Sequence, residues 1–578
     1  MLLTVLALKC SQLQRLQYAR SNTTGRLYGV MYDNTLTVLS FAVNKSDQEC
    51  CLEPTDLQPN MPAEIDLCGV LFIGEGEEPI PAAFKDIDIT DNPLLIKYSL
   101  KDANVQAYYY VHEVLQSAQK VEIISEEDIW ERFFYIRVQT CFPIVTTKEE
   151  VEKALQETRK NIASGIVAFG FSQKNFYLFD TDSDSKNVSI KDELASNENL
   201  LQNQKNHIAK NVPEITEAIP ARMLWGTSRD KAPESTLKCA PALHHIKRSF
   251  ESLQFDLQID ALSVVGNNVT AANLYAILVE SVCRNIRLIE RSFVEQMKES
   301  DELRLPVPLH FKPRACGHLI TVTYPVGKPD EKLYDYRKSL HKALALDLTR
   351  PYFRRSNVVK FSSDLTSNEP LLNPHVAIVS PPSDRKIATV DGLYAYHHYM
   401  QDSFDDNGWG CAYRSLQTIV SWFRLQGYTN VDIPSHRDVQ KCLVEIGDKP
   451  SNFIDSKQWI GSTEVGFVLE TLLGITVRIL CASNGEEMSD LASDLAHHFE
   501  TQGTPVMIGG GVLAHTILGI SYNETYDDIK YLILDPHYTG AENLSVILNK
   551  GWCGWKNKDF WKKDAFYNMC LPQRPVII

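Results

Sequence analysis

A chain of 578 residues cannot organise itself around one hydrophobic core, because cores stop growing well below that size and chains then divide into domains. About two to four compact regions follow from this length. A hydrophobic fraction of 44% against 23% charged gives each region apolar area to bury, so the question becomes where the divisions fall.

The stretch from the N-terminus to about Gln139 is strand-rich. Residues 1–8 are apolar, but they lack a basic leader and run into Lys9 and Cys10 too soon for a signal peptide, so a first strand is expected there. Residues 27–32 and 36–43 flank the turn residues Asp33-Asn34 and predict a hairpin, residues 67–74 a further strand, and residues 112–120 a helix. This pattern is weakly similar to the MPN scaffold. Metal-dependent members of that scaffold need two closely spaced histidines with a serine, an aspartate and a glutamate, whereas His112 stands alone. Residues 1–139 are therefore expected to form an MPN-like domain that binds rather than catalyses, with no metal and with His112 structural or exposed.

A second α/β region is expected over 140–372. In it residues 149–155 read as helix and 166–171 as strand, and the polar stretch 181–206 offers too little apolar area to offset its ordering entropy, which predicts a loop. Between Thr270 and Leu303, the residues Leu274, Ile277, Leu278, Val282, Ile286, Ile289 and Phe293 recur at helical spacing, which predicts one long helix with a packing face rather than a ligand box. Pro- and Ser-rich sequence, including Ser380-Pro381-Pro382-Ser383, predicts a linker over 373–390. The remaining stretch, 391–578, is of ordinary single-domain size.

Charge and cysteine usage narrow the class. A formal net charge of -15 argues against non-specific nucleic-acid binding, which needs a basic footprint to displace counterions. The 13 cysteines include no C-x-x-C pair, and an odd number cannot all pair within one chain, so neither a zinc ribbon nor a secreted disulfide framework is indicated and a cytoplasmic setting fits. No apolar stretch reaches the roughly 20 residues that span a bilayer, so any membrane association is expected to come through a partner.

In the last region the run Asp405-Asp406-Asn407-Gly408-Trp409-Gly410-Cys411-Ala412-Tyr413-Arg414 delivers a cysteine onto the first turn of a helix. The helix follows from Leu416, Ile419, Val420 and Phe423, with Gly427 placed to cap its C-terminus. Unpaired N–H groups and the dipole at a helix start favour thiolate over thiol, and an adjacent imidazole favours it further. The bland reading is a small buried residue. Against it, Gly408 and Gly410 permit close approach of a substrate and Trp409 can wall a groove, although it can equally be core packing. Two histidines compete as base. His515 lies in the strand Gly509-Gly510-Gly511-Val512-Leu513-Ala514-His515, a papain-like placement with Asp535 following, and His537 lies in Leu534-Asp535-Pro536-His537, where Pro536 stops a strand. Residues separated by one along an extended chain project to the same side, so Asp535 can orient His537. Residue spacing leaves the two histidines open.

Several motifs together resemble one family. They are Tyr396-His397-His398-Tyr399-Met400-Gln401-Asp402, the Gly-Trp-Gly-Cys run, Gln458-Trp459-Ile460-Gly461-Ser462, the strand ending in His515, Asp535-Pro536-His537-Tyr538-Thr539-Gly540 and Gly551-Trp552-Cys553-Gly554-Trp555. As an ordered set spanning 391–578 they are similar to the ubiquitin-fold modifier 1-specific peptidases in their longer form. Upstream, Pro306-Val307-Pro308-Leu309-His310-Phe311 and Arg350-Pro351-Tyr352-Phe353-Arg354-Arg355 extend the similarity into the middle region, which it implies engages substrate and partners.

The resemblance implies an α/β (α+β) protein with a papain-like cysteine peptidase domain at the C-terminus. It implies Cys411 as nucleophile, His537 as base, Asp535 as orienting acid and Tyr399 as oxyanion donor, with His515 a supporting residue. It implies no metal or organic cofactor. The expected substrates are ubiquitin-fold modifier 1 precursor and conjugates, cleaved after the modifier's C-terminal glycine. The expected partner is a membrane-anchored protein that recruits the chain to the cytosolic face of the endoplasmic reticulum. Two rivals use the same residues: an Atg4-type peptidase acting on an autophagy modifier, and a non-catalytic MPN-type adaptor with a vestigial thiol site.

Overall fold

The computed structural model describes residues 5–9, 15–16, 23–33, 35–44, 54–74, 84, 87, 93–102, 104–112, 114–118, 121–171, 176–180, 216–226, 252–299, 302–364, 369–382, 385–523 and 528–578. The chain falls into two compact units, the first holding residues 1–200 and 217–348 and the second 201–216 and 349–578.

The first unit opens with an eight-stranded sheet. Its strands are β1 (Val5–Lys9), β2 (Thr23–Tyr32), β3 (Thr35–Val43), β4 (Asp66–Ile73), β5 (Leu94–Tyr98), β6 (Val105–Val111), β7 (Val114–Ser117) and β8 (Val121–Ile124). They lie in the order β7-β6-β5-β4-β2-β3-β1-β8. The expected hairpin is β2–β3, turning at Asp33, which takes a left-handed φ of 47°. Leu27, Leu36, Val38, Phe41, Leu71 and Ile96 form the core of this sheet. Among the described residues the helix expected over 112–120 is absent: β6 and β7 instead form a hairpin that reverses at exposed His112 (φ 48°) and pairs Val111 with Val114. The tyrosine-rich run Tyr108-Tyr109-Tyr110 prefers a pleated, half-buried surface, and pairing with β5 on its other edge gives it one.

A second sheet follows α1 (Glu126–Arg132). It contains β9 (Phe133–Thr146), then after α2 (Val151–Asn161) the strands β10 (Val167–Phe171), β11 (Phe176–Phe179), β12 (Ala218–Trp225) and β13 (Leu253–Gly266), in the order β11-β10-β12-β9-β13. One face packs on α3 (Ala271–Glu299), whose residues Leu274, Ile277, Leu278, Val282, Ile286, Ile289 and Phe293 are all buried in that core, as their spacing predicts. A division between residues 139 and 140 falls inside β9. That strand pairs with β13 without interruption from Phe133 to Thr146, and its polar positions are the outward side of an alternating strand. The loop expected over 181–206 lies outside the described residues. The unit closes with β14 (Pro306–Phe311), β15 (Ile320–Pro325) and α4 (Tyr334–Ala343).

The main stretch of the second unit begins at Thr349, ahead of the expected linker. Residues 373–390 do not behave as one: Asn373 Oδ1 accepts from the Tyr394 N–H at 2.9 Å, and β16 (Lys386–Thr389) pairs with a core strand. Pro374 opens a short turn, where proline suits the first helical position. Four helices come next or are interleaved with the sheet: α5 (Cys411–Leu425), α6 (His436–Glu445), α7 (Ser462–Leu473) and, after β17 (Val477–Ala482), α8 (Ala492–Thr501). The sheet continues with β18 (Val506–Gly510), β19 (Leu513–Tyr522) and β20 (Ile529–Leu534), then, after α9 (Leu544–Asn549), β21 (Cys553–Asn557) and β22 (Tyr567–Pro572). The order is β17-β22-β18-β19-β20-β21, with β16 also on β19, and every pair is antiparallel. Helix α5 is buried along nearly its whole length, packing Leu416, Ile419, Val420 and Phe423 against Leu518, Leu532 and Leu534 of the sheet.

Candidate active site

Cys411 is the first residue of α5. The loop before it is shaped by two glycines for different reasons. Gly408 takes φ 84° with open space around it, a conformation that favours glycine, whereas a Cβ on Gly410 would lie 2.5 Å from Asp406 Oδ2. Gly410 therefore serves the packing of Asp406 rather than the approach of a substrate. No side chain caps the helix, so its first-turn N–H groups remain available to an anion.

Strand β20 ends at Leu534 and delivers Asp535, Pro536 and His537 beside this helix start. Asp535 Oδ1 accepts from the His537 backbone N–H at 3.0 Å and lies 2.5 Å from His537 Nδ1, which fixes the ring with its other nitrogen, Nε2, turned away from the carboxylate. Nε2 is buried and has no nitrogen or oxygen partner, and the Cys411 thiol interacts with this ring. Burial alone would raise the Cys411 pKa, but the hydrogen bond and charge of His537, the Ala514 backbone N–H and the Tyr399 hydroxyl override it, so the thiol sits below its ordinary range. Burial likewise opposes charge on His537, yet Asp535 and Cys411 outweigh it and push its pKa up to about 9. Asp535 is held below the carboxylate range, its burial offset by the bond to His537 and the nearness of His515. The pair is poised as thiolate and imidazolium.

His515 is in strand β19, as expected, but takes a different place. Its Nε2 is 3.8 Å from Asp535 Oδ2 and its ring packs 5.3 Å from that of His537, while burial pushes its pKa down to about 4, which keeps it neutral. Asp535 is thus flanked by both imidazoles, and the thiol's partner is His537. His515, Asp535 and His537 also bring one ligand atom each within 4.8 Å of one another. Oδ1 and Nδ1 of Asp535 and His537 are already engaged with each other, which disfavours a metal among them.

Tyr399 reaches the same point from the segment before α5. Its backbone N–H donates to Pro536 O at 3.0 Å, and its ring stands edge-on to His537 at 5.3 Å. Its hydroxyl interacts with both the Cys411 side chain and the Cys411 backbone, and burial with the nearby thiolate raises its pKa far enough to keep the O–H proton. The Tyr396 hydroxyl donates to Asp535 O, so the two segments are laced together. Beside the thiol is a cavity of about 360 Å³, lined by Trp409, Trp459, Gly510, Leu513, Phe566 and Asn568 among others. Trp409 is both wall and core: it lines this cavity and packs edge-on to Phe404, Tyr413 and His436. The Ala514 N–H, Phe566 and Asn568 were not singled out by motif, because a backbone donor and a side chain across the sheet leave no local pattern.

A probable Ufm1-specific protease 2 from Drosophila pseudoobscura pseudoobscura is 40% identical over 604 aligned residues that cover 98% of each chain. The chain belongs to the Ufm1-specific protease family. Its Drosophila melanogaster counterpart is 39% identical over 98% of each chain, and the human Ufm1-specific protease 2 is 52% identical over 56% of this chain and 69% of its own. The description peptidase family C78 matches residues 385–570, ubiquitin-fold modifier 1 specific protease 2, N-terminal, matches 154–366, and insect UFM1-specific protease N-terminal MPN-like domain matches 4–129. The crystal structure of UfSP from C. elegans superposes with a TM-score of 0.70 at 25% identity over the full length of both chains. As a member of the Ufm1-specific proteases the chain is a cysteine protease, with an MPN-like region first and a papain-like peptidase domain last, and the adaptor and Atg4-type alternatives give way.

Proposed function

We propose that this protease hydrolyses the bond after the C-terminal glycine of Ufm1, with Cys411 as nucleophile, His537 as proton carrier, Asp535 as orienting acid and Tyr399 as oxyanion donor. The observation that carries this reading is the meeting of the Cys411 thiol with a His537 ring whose Nδ1 side is tied to Asp535 at 2.5 Å. The thiolate attacks the glycine carbonyl, and charge develops on its oxygen. The Tyr399 hydroxyl and the Cys411 N–H then stabilise that oxygen, and losing one such donor typically costs about 10²–10³ in kcat. The imidazolium protonates the departing amine, and neutral His537 next activates the water that frees the acyl enzyme. When the amine belongs to a C-terminal peptide the reaction matures a precursor. When it belongs to a lysine side chain, the modifier is removed from a conjugate. The Ufm1-specific naming of the relatives supports this substrate.

The setting follows from the same resemblance: a cytoplasmic protein recruited to the endoplasmic reticulum by a membrane-anchored partner. Among the described residues no helix is long and apolar enough to cross a membrane. Ufm1 carrying a C-terminal electrophile tests the activity, with ubiquitin and an autophagy modifier as parallel probes. The expected result is a covalent adduct with the Ufm1 probe alone, lost in Cys411→Ala; an adduct that survives this substitution removes Cys411 as nucleophile. Fractionation that leaves the whole pool off endoplasmic reticulum membranes removes the recruitment.

A further inference from the structure

Between Tyr399 and α5 the chain passes through Met400, Asp402 and Ser403, all with left-handed backbone (φ 65°, 59° and 57°). None is glycine, and such a run persists only where the surroundings over-determine it. Arg414, one turn into the helix that starts with Cys411, supplies much of that constraint. Its guanidinium donates to Gln401 O at 3.1 Å, Asp402 Oδ2 at 3.2 Å, Gln417 Oε1 at 3.1 Å and Asp406 Oδ2 at 2.6 Å. Asp406 then passes the constraint on, because its Oδ1 accepts from the Met400 N–H at 2.9 Å. The peptide that follows Tyr399 is held at its other end too, with Tyr399 O 2.9 Å from His398 Nδ1, and His398 in turn 2.9 Å from Glu542.

Arg414 and Asp406 are both buried, at 1% and 0% exposure. Burying two charges carries a desolvation cost that well-packed apolar residues would avoid, so their presence beside a reacting thiol invites a role beyond stability. Burial opposes charge on Asp406, but the contacts from His436, Arg414 and the Met400 N–H keep its pKa below the ordinary carboxylate value, so it stays a carboxylate.

We infer that Arg414 and Asp406 are positioning residues that hold the Tyr399 hydroxyl over the thiol, coupling the oxyanion donor to the helix that bears Cys411. This rests on the reading of Tyr399 as an oxyanion donor. Neither residue touches the reacting atoms. They fix the peptide plane on which the Tyr399 side chain is hung, and Arg414 refers that plane to its own helix. A lysine at 414 keeps the charge but loses the planar fork that serves several acceptors at once.

The test is a double-mutant cycle on the full chain, using Ufm1 with a coumarin amide on its C-terminal glycine and, separately, alkylation of Cys411 by iodoacetamide, which needs no oxyanion donor. Arg414→Lys is expected to lower kcat about tenfold with KM changed less than about twofold and the alkylation rate kept within about twofold. In a Tyr399→Phe background the same substitution is expected to change kcat by less than about twofold. An equal loss in both backgrounds overturns the inference, as does a parallel loss of alkylation or an unchanged kcat. If Arg414→Lys fails to fold, Asp402→Asn takes the negative charge from one exposed acceptor of the clamp and is run through the same cycle. Its expected loss is about threefold in the parent and none with Tyr399→Phe, and any other pattern overturns the inference. Should Tyr399→Phe alone leave kcat unchanged, the oxyanion reading itself falls, an outcome distinct from additivity of the two substitutions.

Discussion

At the level of single residues, the thiol and imidazole are set against each other by their surroundings. The Cys411 pKa is lowered by His537, and that of His537 is raised to about 9 by Asp535 and the thiolate. The reactive ion pair therefore exists between the two apparent values, which belong to the pair rather than to either residue. As pH falls through the lower one, the thiolate takes up a proton and attack stops. As pH rises through the upper one, the imidazolium loses the proton it must give the leaving amine. A bell-shaped pH dependence of kcat/KM is expected, with its alkaline limb near pH 9 and its acid limb below the ordinary thiol value; a profile that only rises through the ordinary thiol range would show that the pair does not form. The two histidines separate in the same way. His537→Ala is expected to lose about 10³-fold or more in kcat, whereas His515→Ala, which removes only a neutral neighbour 3.8 Å from Asp535, is expected to lose less than about tenfold by steady-state hydrolysis. The reverse ranking would make His515 the base.

Whole elements depend on how they begin and end, and α5 shows both. Its start leaves N–H groups open for the thiolate, while its end is closed by a Schellman arrangement in which the Gly427 N–H donates to Arg424 O at 3.0 Å and the Tyr428 N–H to Phe423 O at 2.8 Å. The Tyr428 ring then packs on Phe423, 6.0 Å between centroids. Gly427 sits at φ 80°, and a Cβ there would meet the Asn357 side chain at 2.9 Å. Gly427→Ala is expected to lose more than about 1 kcal/mol of stability, read as a lower urea midpoint at unchanged slope. This stop is legible in the sequence because apolar spacing and the closing glycine lie within one short stretch. The same locality made α3 and the β2–β3 hairpin legible. It failed at residues 112–120, where the strand β7 is decided by a neighbour, β6, and not by the residues themselves.

Across the whole molecule, the legible parts of the site are those carried by short spacing: Cys411 on its helix, and Asp535 with His537 two residues on. The hidden parts either join distant segments, as when Tyr399 meets Pro536, or depend on burial, since no local pattern announces that Asp406 in a polar run is fully buried against Arg414. Burial of titratable groups is also a property of the assembled fold, and it has a consequence for stability. His341, His375, His397, His498 and His515 are pushed by burial down to about 4 in the folded chain, against an ordinary value of 6.5. Between those values the unfolded chain binds more protons than the folded one, so stability is fully present above pH 6.5 and is lost as pH falls towards 4. His537 has the opposite sign: its pKa of about 9 adds stability that is present below 6.5 and lost as pH rises through 9. Asp406, Asp535 and Glu542, held below the carboxylate range, add stability that is lost only at lower pH still. Burial lowers His436 as well, and although the raised Glu64 and Glu295 act the other way near the carboxylate range, six histidines of one sign lead us to expect the melting temperature to fall on acidification between pH 6.5 and 4. Calorimetry at stepped pH measures this directly, and a melting temperature that holds or rises from pH 6.5 to 5 would mean that these imidazoles are not kept neutral by the fold.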